Sequence, residues 1–247
     1  MSVVVRAATD QGLKRAHNED HLGTWIPDDA RQNGRGILLV VADGMGGSLA
    51  GEVASQLAVD CVLREYQDGE DSILEDLRRA VESANQIVHD QSVAYPDLRG
   101  MGTTCTAVVL RGPEAYLAHV GDSRAYLVRK GSIRQLTQDH SLVAQLVQHR
   151  QLTAEQAKSD PRRNVVTRSV GVGAAVEVDA ERVKDPLVTG DTVLLCTDGL
   201  HGLVRDEEIA ASASQSDLEK ACHELIDLAK ERGGHDNITV VIARLGD

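Results

Sequence analysis

Aspartates with a glycine one or two residues away mark the ends of four apolar runs in this 247-residue chain. Three runs lead into such an aspartate and the fourth follows one; they are Asp43, Asp122, Asp198 and Asp236. A folded sheet gathers strand ends in space, and two carboxylates about 4 Å apart repel by roughly 4 kcal/mol at an effective dielectric constant near 20. Such a cluster is tolerable when protons or cations neutralise it. The pattern therefore predicts a metal site.

Composition limits the class of protein. The formal net charge is −12 and no stripe of lysine or arginine is present, so binding to nucleic acid or to an anionic membrane has little electrostatic support. The four cysteines show neither CxxC spacing nor the pattern of a cysteine nucleophile, which predicts buried reduced thiols. The sequence has no signal peptide and no apolar run of about 20 residues, which favours a soluble, cytoplasmic protein.

Hydrophobic spacing predicts the elements that must position these aspartates. Strands are expected over residues 2–9, 36–42, 103–110, 114–120, 124–129, 176–183, 192–196 and 238–245. Helices are expected over 49–66, 72–95 and 217–232, with shorter ones over 140–149 and 154–158. The three closely spaced strands in the middle of the chain indicate antiparallel hairpins.

The fold class follows from these elements and from the composition. Aromatic residues make up only 2% and phenylalanine is absent, so the core must consist of aliphatic side chains, whose β-branched members favour strands. Two long helices between sets of antiparallel strands predict an α+β layered fold. The length predicts one domain over residues 1–247, with an irregular, Arg- and Gly-rich flap at about residues 150–175.

Each motif has an ordinary interpretation when it stands alone. Arg15 with Glu19 and Asp20 in a polar loop is typical of a solvated surface, and Asp43-Gly44 between apolar residues is also a hairpin signal. The glycines after Asp43 would also let main-chain oxygen atoms approach a ligand. Neither a Walker A motif nor a spaced GxGxxG motif is present.

Seven motifs in a fixed order are far more specific than any one of them. In chain order they are Arg15, Glu19-Asp20, Asp43-Gly44-Met45-Gly46-Gly47, Met101-Gly102-Thr103-Thr104, Gly121-Asp122-Ser123-Arg124, Asp198-Gly199 and Gly234-His235-Asp236-Asn237. Over about residues 6–244 the chain resembles the metal-dependent serine/threonine protein phosphatases of type 2C (PPM), in their compact bacterial form. The resemblance implies a four-layer α-β-β-α sandwich, in which helices flank two packed antiparallel sheets.

The resemblance makes Asp43 the residue that bridges two catalytic metal ions. The carbonyl of Gly44 and, often through water, Glu19 or Asp20 would complete the shell of one ion. Carboxylates, a carbonyl and water are hard oxygen ligands, which favour Mg²⁺ or Mn²⁺ over Zn²⁺. Two such ions about 3.5–4 Å apart can hold a bridging water, lower its pKa and direct it at phosphorus without a covalent intermediate.

The remaining ligands are implied in the same way. Asp198 and Asp236 match ligands of the second ion, and Asp122 with Asp198 matches a third, weaker metal position. Some relatives place a flap serine at that position, where this chain has Asn164. An amide oxygen can still coordinate, so a weak third site is expected. Arg15 matches the residue that clamps the substrate phosphate, for which its planar fork is suited.

Several other polar residues have two interpretations. Thr104 and Asn237 are predicted to orient metal-binding carboxylates, or else are ordinary strand and turn residues. Arg124 has the alternative of pairing with an acid to hold its loop. The flap arginines are predicted to attract phosphorylated segments, or else are solvated; they are Arg162, Arg163 and Arg168.

The chain departs from the family pattern at two positions where histidine is common. Ser48 follows the paired glycines, and Asp160 precedes Pro161 in the flap. The acid that protonates the leaving oxygen is therefore not assigned by matching. A metal-bound water, His140 and His235 all stay open for that role.

These features predict a Mg²⁺- or Mn²⁺-dependent phosphatase acting on phosphoserine and phosphothreonine in proteins. Its expected partners are phosphorylated proteins, including a cognate bacterial Ser/Thr kinase and its substrates, and the chain is expected to be a monomer that binds neither nucleic acid nor membrane. One alternative is a catalytically dead relative that binds phosphoproteins, which should have lost metal carboxylates. Another is a two-metal nuclease, which should show a basic surface.

Overall fold

Two antiparallel sheets form the centre of the molecule, for which a computed structural model describes residues 2–28, 34–46 and 49–246. The strands are Val3–Asp10 (β1), Asp20–Trp25 (β2), Ile37–Met45 (β3), Gly102–Thr103 (β4), Cys105–Arg111 (β5), Glu114–Val120 (β6), Arg124–Arg129 (β7), Ser132–Gln135 (β8), Asp179–Arg182 (β9), Thr192–Cys196 (β10) and Ile238–Leu245 (β11). One sheet has the order β1-β11-β10-β7-β8. The other has the order β2-β3-β5-β6-β9, and the short β4 pairs with β3.

The part of the chain that the structure describes has seven α-helices, and five of them cover the outer sheet faces. They are Leu49–Gln67 (α1), Ile73–Ala94 (α2), Leu142–Gln148 (α3), Ala154–Ser159 (α4), Asp198–His201 (α5), Asp206–Ala213 (α6) and Leu218–Glu231 (α7). α1 and α2 pack on the sheet that contains β3, and α5, α6 and α7 pack on the sheet that contains β10. Within the described residues, no helix combines the length and the apolar character that a membrane crossing requires.

The alternation of side chains along β3 shows how the layers are joined. Leu38 and Val40 pack against α1 and α2, whereas Ile37, Leu39 and Val41 pack against the opposite sheet. This period of two is expected of a strand that is buried on both faces. The residues of β10 divide in the same way between the intersheet layer and the helices of their own side. The predicted four-layer α-β-β-α sandwich is therefore confirmed.

The chain crosses from one sheet to the other between β6 and β7. β6 pairs with β5 and β9, whereas β7 pairs with β10 and β8. The prediction of successive hairpins is therefore right for β5 and β6 and wrong for β6 and β7. Gly121 permits the crossing, because its φ is 114° and a Cβ atom there would lie 2.5 Å from Cγ2 of Thr104. The crossing carries Asp122.

Four elements were missed by hydrophobic spacing: β2, β8, α5 and α6. In β2, polar residues and Gly23 interrupt the apolar alternation. A Cβ atom on Gly23 would lie 2.6 Å from Cγ1 of Val59, so this strand is held by close packing of α1 against its backbone. β9 is also shorter than the predicted 176–183, and the strand predicted over 103–110 is interrupted at Thr104.

The predicted flap is irregular but attached at its far end. Its only helix is α4, and residues 160–178 contain no regular strand. Val170 is fully buried, and its main chain exchanges hydrogen bonds of 2.8 and 3.0 Å with that of Thr103. The end of the segment is therefore fixed to the strand that leads to Thr104.

Candidate metal centre

Four aspartates meet where both sheets end. Asp20 begins β2 and stands opposite Asp43 in the antiparallel register with β3. Asp198 lies two residues after β10, and Asp236 lies two residues before β11. Because β10 and β11 are antiparallel neighbours, the end of one and the start of the other lie together. Each sheet thus contributes one pair of acids.

The electrostatics of these carboxylates reflect their proximity. Burial raises the pKa of Asp43 well above its usual value, and the charges of its acidic neighbours raise it further; they are Asp20, Asp198, Asp122 and Asp236. Burial and the charge of Asp236 raise the pKa of Asp198 to about 6, although a hydrogen bond with Asp43 opposes this shift. Burial raises the pKa of Asp20 to about 7. Protons or cations must therefore neutralise part of the cluster at neutral pH.

Three carboxylate oxygen atoms of the cluster are buried without a hydrogen-bond partner among the described residues. They are Oε1 of Glu19, Oδ1 of Asp20 and Oδ1 of Asp198. A buried polar atom that lacks a partner costs about 1–3 kcal/mol, and native proteins seldom carry one without a reason. A cation would satisfy these atoms. All three are hard oxygen donors, which fit Mg²⁺ or Mn²⁺.

Arg15 is the cation that contacts the cluster in the structure. Its Nη2 donates to Oδ2 of Asp236 at 2.8 Å, and its Nη1 lies 3.4 Å from Oε2 of Glu19. Across the described ranges, no three His, Cys, Asp or Glu side chains lie close enough together to hold an ion by themselves. A metal shell here must therefore include main-chain oxygen atoms or water, as the sequence predicts for Gly44.

Close packing fixes Gly44 beside the acids. Its N–H donates to the main-chain oxygen of Glu19 at 3.0 Å. A Cβ atom at this position would overlap the carbonyl oxygen of Gly51 in the first turn of α1 and would lie 2.5 Å from that of Glu19. Only glycine therefore lets β3, the Glu19 loop and α1 come together here.

Thr104 and Asn237 both lie at the site, but they hold main chains and not carboxylates. The hydroxyl of Thr104 accepts a hydrogen bond from the N–H of Asp43 at 2.8 Å. The Oδ1 atom of Asn237 accepts one from the N–H of Glu19 at 2.8 Å. Its Nδ2 atom donates to the main-chain oxygens of Gln11 and His17 at 2.8 and 2.9 Å. These side chains position the backbone from which Asp43 and Glu19 project, and the prediction that they thereby orient the carboxylates stays a prediction.

Thr197 contacts a carboxylate directly and was missed in the sequence. Its hydroxyl donates to Oδ2 of Asp20 at 2.8 Å and accepts from the N–H of Thr239 at 3.0 Å. This bond joins the two sheets, because Thr197 follows β10 and Asp20 begins β2. In the sequence Thr197 is an ordinary threonine at the end of an apolar run, and its burial beside Asp198 is visible only in the folded chain.

The crossing turn brings Asp122 to the edge of the cluster. Burial and then the charge of Asp198 raise the pKa of Asp122 to about 7. Its main-chain oxygen lies 3.0 Å from Nε2 of His201.

Arg124 makes three hydrogen bonds of 2.7–3.1 Å to the carboxylate of Asp139. The alternative interpretation of Arg124, pairing with an acid to hold the loop, is therefore the correct one.

The flap candidates are not joined to the acids in the structure. Arg162 pairs with Asp160 through its side chain and its main-chain N–H. Arg163 and Asn164 are exposed, and among the described residues no hydrogen bond or ion pair links these three candidates to the cluster. His235 is also exposed. Ser48 lies outside the described residues.

Gly199 offers a test of how tightly the site is packed. A Cβ atom there would overlap the carbonyl oxygen of Asn237, which is backbone and cannot turn aside. We expect Gly199→Ala to destabilise the chain by about 1–3 kcal/mol, which lowers Tm by roughly 2–12 °C. Thermal unfolding measures this shift. Gly173→Ala is the control, since the nearest atom would lie 3.3 Å away, and an equal shift in both variants would contradict the packing argument.

Comparison with known proteins agrees with this geometry. The model of the protein phosphatase 2C family matches residues 14–238. The serine/threonine protein phosphatase PstP of Mycobacterium tuberculosis is 40% identical over 243 residues, which cover 98% of this chain and 45% of that protein. The serine/threonine phosphatase stp of Listeria monocytogenes is 37% identical over 240 residues, or 95% of this chain and 92% of that protein. The chain thus spans less than half the length of PstP but nearly all of stp.

A solved structure extends the similarity to three dimensions. The crystal structure of the PstP catalytic domain in complex with two manganese ions matches with a TM-score of 0.86 and 37% identity, over 99% of both chains. The family predicted from seven motifs is confirmed by this match and by the family model. The chain belongs to the protein phosphatase 2C family.

Proposed function

We propose that this chain is a metal-dependent phosphatase that hydrolyses phosphoserine and phosphothreonine in proteins. The observation that carries the proposal is the set of carboxylate oxygens that are buried without a partner among the described residues, in a cluster that Arg15 contacts. Those oxygens suit divalent cations, and the arginine suits a phosphate group. Membership of the 2C family and the names of the relatives support the same activity.

The ion-binding roles follow the predicted set. We assign the ions to the carboxylates of Asp43, Asp198 and Asp236, to the carbonyl of Gly44, and to Glu19 or Asp20 acting through water. The two manganese ions of the PstP structure support Mn²⁺ or Mg²⁺ as the cofactor. Bound ions would supply an activated water for in-line attack on phosphorus and would neutralise charge on the phosphate.

The chain itself offers no thiol nucleophile. All four cysteines are free and buried, as the sequence predicted. Burial raises the pKa of Cys61 to about 11 and that of Cys105 to about 12. A buried, protonated thiol is inert towards a phosphate ester, so a cysteinyl-phosphate pathway has no candidate residue.

A third, weaker ion position is proposed at Asp122 and Asp198. The charge of Asp198 raises the pKa of Asp122, and a cation held by both carboxylates would offset this repulsion. Asn164 is exposed in the flap, and its participation stays a prediction.

The domain organisation is also part of the proposal. From length and composition, we propose a single domain over residues 1–247 with a flap at about residues 150–175.

Arg15 is proposed to bind the substrate phosphate. Its side chain is 46% exposed, although it touches two acids of the cluster. The guanidinium can therefore reach a ligand from solvent, and its fork can hold two phosphate oxygens at once. Its contacts with Glu19 and Asp236 keep the guanidinium beside the acids.

Substituting Arg15 tests this role. We expect Arg15→Lys to raise KM for a phosphothreonine peptide by about 10–100-fold, because a hydrogen bond to a charged group contributes about 1.5–3 kcal/mol and lysine lacks the fork. The effect on kcat should be smaller. Steady-state kinetics in Mn²⁺ measure both constants. Arg134→Lys is the control, since its pair with Asp185 lies on the surface, and an unchanged KM in Arg15→Lys would contradict the assignment.

We propose phosphorylated proteins as substrates, with a cognate Ser/Thr kinase acting on the same proteins, and a monomer located in the cytoplasm. The net charge of −12 disfavours nucleic acid and anionic membrane as partners. Arg162 and Arg163 are proposed to attract phosphorylated segments, although Arg162 is paired with Asp160.

The decisive experiment compares one peptide in three forms. Phosphothreonine, phosphoserine and phosphotyrosine versions are incubated with the chain and Mn²⁺, and released phosphate is measured. We expect turnover of the first two and little of the third. Failure to hydrolyse any of them would favour the catalytically dead alternative. Hydrolysis that excess chelator leaves unchanged would exclude the metal-dependent mechanism.

A further inference from the structure

His140 lies between the turn that carries Asp122 and the flap. Its main-chain N–H donates to the oxygen of Gly121 at 2.7 Å, and its main-chain oxygen accepts from the N–H of Thr167 at 2.8 Å. One residue thus bonds the crossing turn on one side and the flap on the other. From the sequence, His140 is one candidate for the general acid, and no motif points to this position.

The imidazole ring repeats the same connection. The N–H of Gly121 donates to Nδ1 of His140 at 3.0 Å. Because a main-chain N–H is always a donor, Nδ1 must be the accepting nitrogen. In the neutral ring Nε2 therefore carries the proton, and it lies 3.1 Å from Oδ2 of Asp179. Both nitrogens are engaged, so His140 has no free nitrogen to deliver a proton to a leaving group.

Asp179 joins the ring to the flap. The Nη1 atom of Arg168 donates to Oδ1 of Asp179 at 2.6 Å, while His140 approaches the other oxygen of the same carboxylate. Arg168 also pairs with Glu177 at 3.1 Å. A flap arginine and His140, which bonds the crossing turn, therefore share one carboxylate.

Packing supports the histidine but leaves the arginine side open. His140 is 7% exposed, and its ring centroid lies 4.8 Å from that of the fully buried His119. A polar cavity of about 440 Å³ borders His140, Thr167, Arg168 and Asp179. Hydrogen bonds, and not a filled core, therefore determine where Arg168 lies relative to the ring.

We propose that His140 is a positioning residue that links the flap to the backbone of Asp122. The bonds on Gly121 fix the peptide that precedes Asp122, and those to Asp179 and Thr167 tie the same residue to the flap. A change in flap position is thereby transmitted to the direction of the Asp122 carboxylate. The catalytic consequence of this link rests on the proposed function, whereas the hydrogen bonds of His140 are observed independently of it.

Two substitutions separate the two ring contacts. The side-chain oxygen of His140→Asn takes the place of Nδ1 and can still accept from Gly121, whereas the amide of His140→Gln reaches only the place of Nε2. We expect the Gly121 amide of the metal-free chain to exchange about fivefold faster in His140→Gln, as for one lost buried hydrogen bond. In His140→Asn it should exchange as in wild type. Hydrogen exchange read by NMR or mass spectrometry measures this.

Metal titration tests the transmission to Asp122. By calorimetry with Mn²⁺, we expect the weakest binding step to lose about 10–100-fold in affinity in His140→Gln, the usual effect of an outer ligand-supporting contact. Asp179→Ala, whose side chain is 44% exposed, should weaken the same step without removing the Gly121 bond. Arg134→Ala, at a surface ion pair, serves as the control and should leave every step unchanged.

The outcomes separate this inference from the proposed function. A folded His140→Gln with wild-type Gly121 exchange and wild-type Mn²⁺ binding would overturn the positioning role. If His140→Gln does not fold, Asp179→Ala decides, since an unchanged weak step there would also overturn the link to the flap. Failure of peptide hydrolysis in the wild type would contradict the phosphatase activity and leave both of these readouts interpretable.

Discussion

Asp43→Asn should lower Mn²⁺-dependent turnover of a phosphothreonine peptide by about 1,000-fold or more. The charges of the other four aspartates of the site all raise the pKa of Asp43. Metal ions contribute several kcal/mol of charge stabilisation to such a transition state, and each 1.4 kcal/mol is about a factor of ten in rate. An amide keeps the shape of the carboxylate but loses its charge and one acceptor oxygen. Steady-state kinetics with Mn²⁺ in excess give the measurement.

The same substitution should have the opposite effect on the stability of the metal-free chain. It removes one charge from a cluster whose members raise each other's pKa values. We expect the free energy of unfolding to rise by about 1 kcal/mol, or Tm by roughly 2–4 °C, in excess chelator. The exposed acid Asp227 on α7 provides the control, and Asp227→Asn should change neither quantity. Full activity in Asp43→Asn, or a lowered Tm, would contradict the role assigned to this residue.

Removal of divalent metal should produce the second large effect, in the wild-type chain. We expect excess EDTA to reduce peptide hydrolysis to background and added Mn²⁺ to restore it, because the four cysteines are buried and the proposed mechanism takes its nucleophile from water that the ions activate. Binding that is selective for the folded state adds about 2.7 kcal/mol of stability at a ligand concentration of 100 Kd. For a chain of this size, that corresponds to a Tm rise of roughly 5–11 °C.

The thermal experiment has an internal control. Asp43→Asn should show a much smaller Mn²⁺-dependent rise, because it lacks the acid assigned to both ions. The surface variant Asp227→Asn should show the full rise. Equal shifts in all three proteins would mean that Mn²⁺ binds elsewhere, and residual turnover in EDTA would mean that the ions are dispensable.

Much of the site could be predicted because strand ends carry their own signal. An apolar run that stops at an aspartate beside glycine, as at Asp43 or Asp198, shows both where a strand ends and what stands there. Antiparallel pairing then brings the ends of β10 and β11 together. The long helices were equally accessible, since α2 and α7 each present one apolar stripe at helical spacing.

Contacts between residues that are distant in the sequence could not be predicted from it. β2 has no apolar alternation of its own and is held by α1 through Gly23. Whether β7 pairs with β6 or leaves for the other sheet depends on Gly121, and a short glycine turn permits either course. Thr197 and His140 have ordinary sequence neighbourhoods, and only the folded chain shows that one bonds Asp20 and the other the Gly121 peptide.

The acids come in equal numbers from opposite sheets, two from β2 and β3 and two from the ends of β10 and β11. Divalent ions bound by these acids would therefore cross-link the two sheets. The hydrogen bond from Thr197 to Asp20 already connects the sheets at the same end. Manganese starvation would then loosen one end of the molecule and expose it to proteases. Resistance of the chain to proteolysis should therefore rise when divalent metal is added.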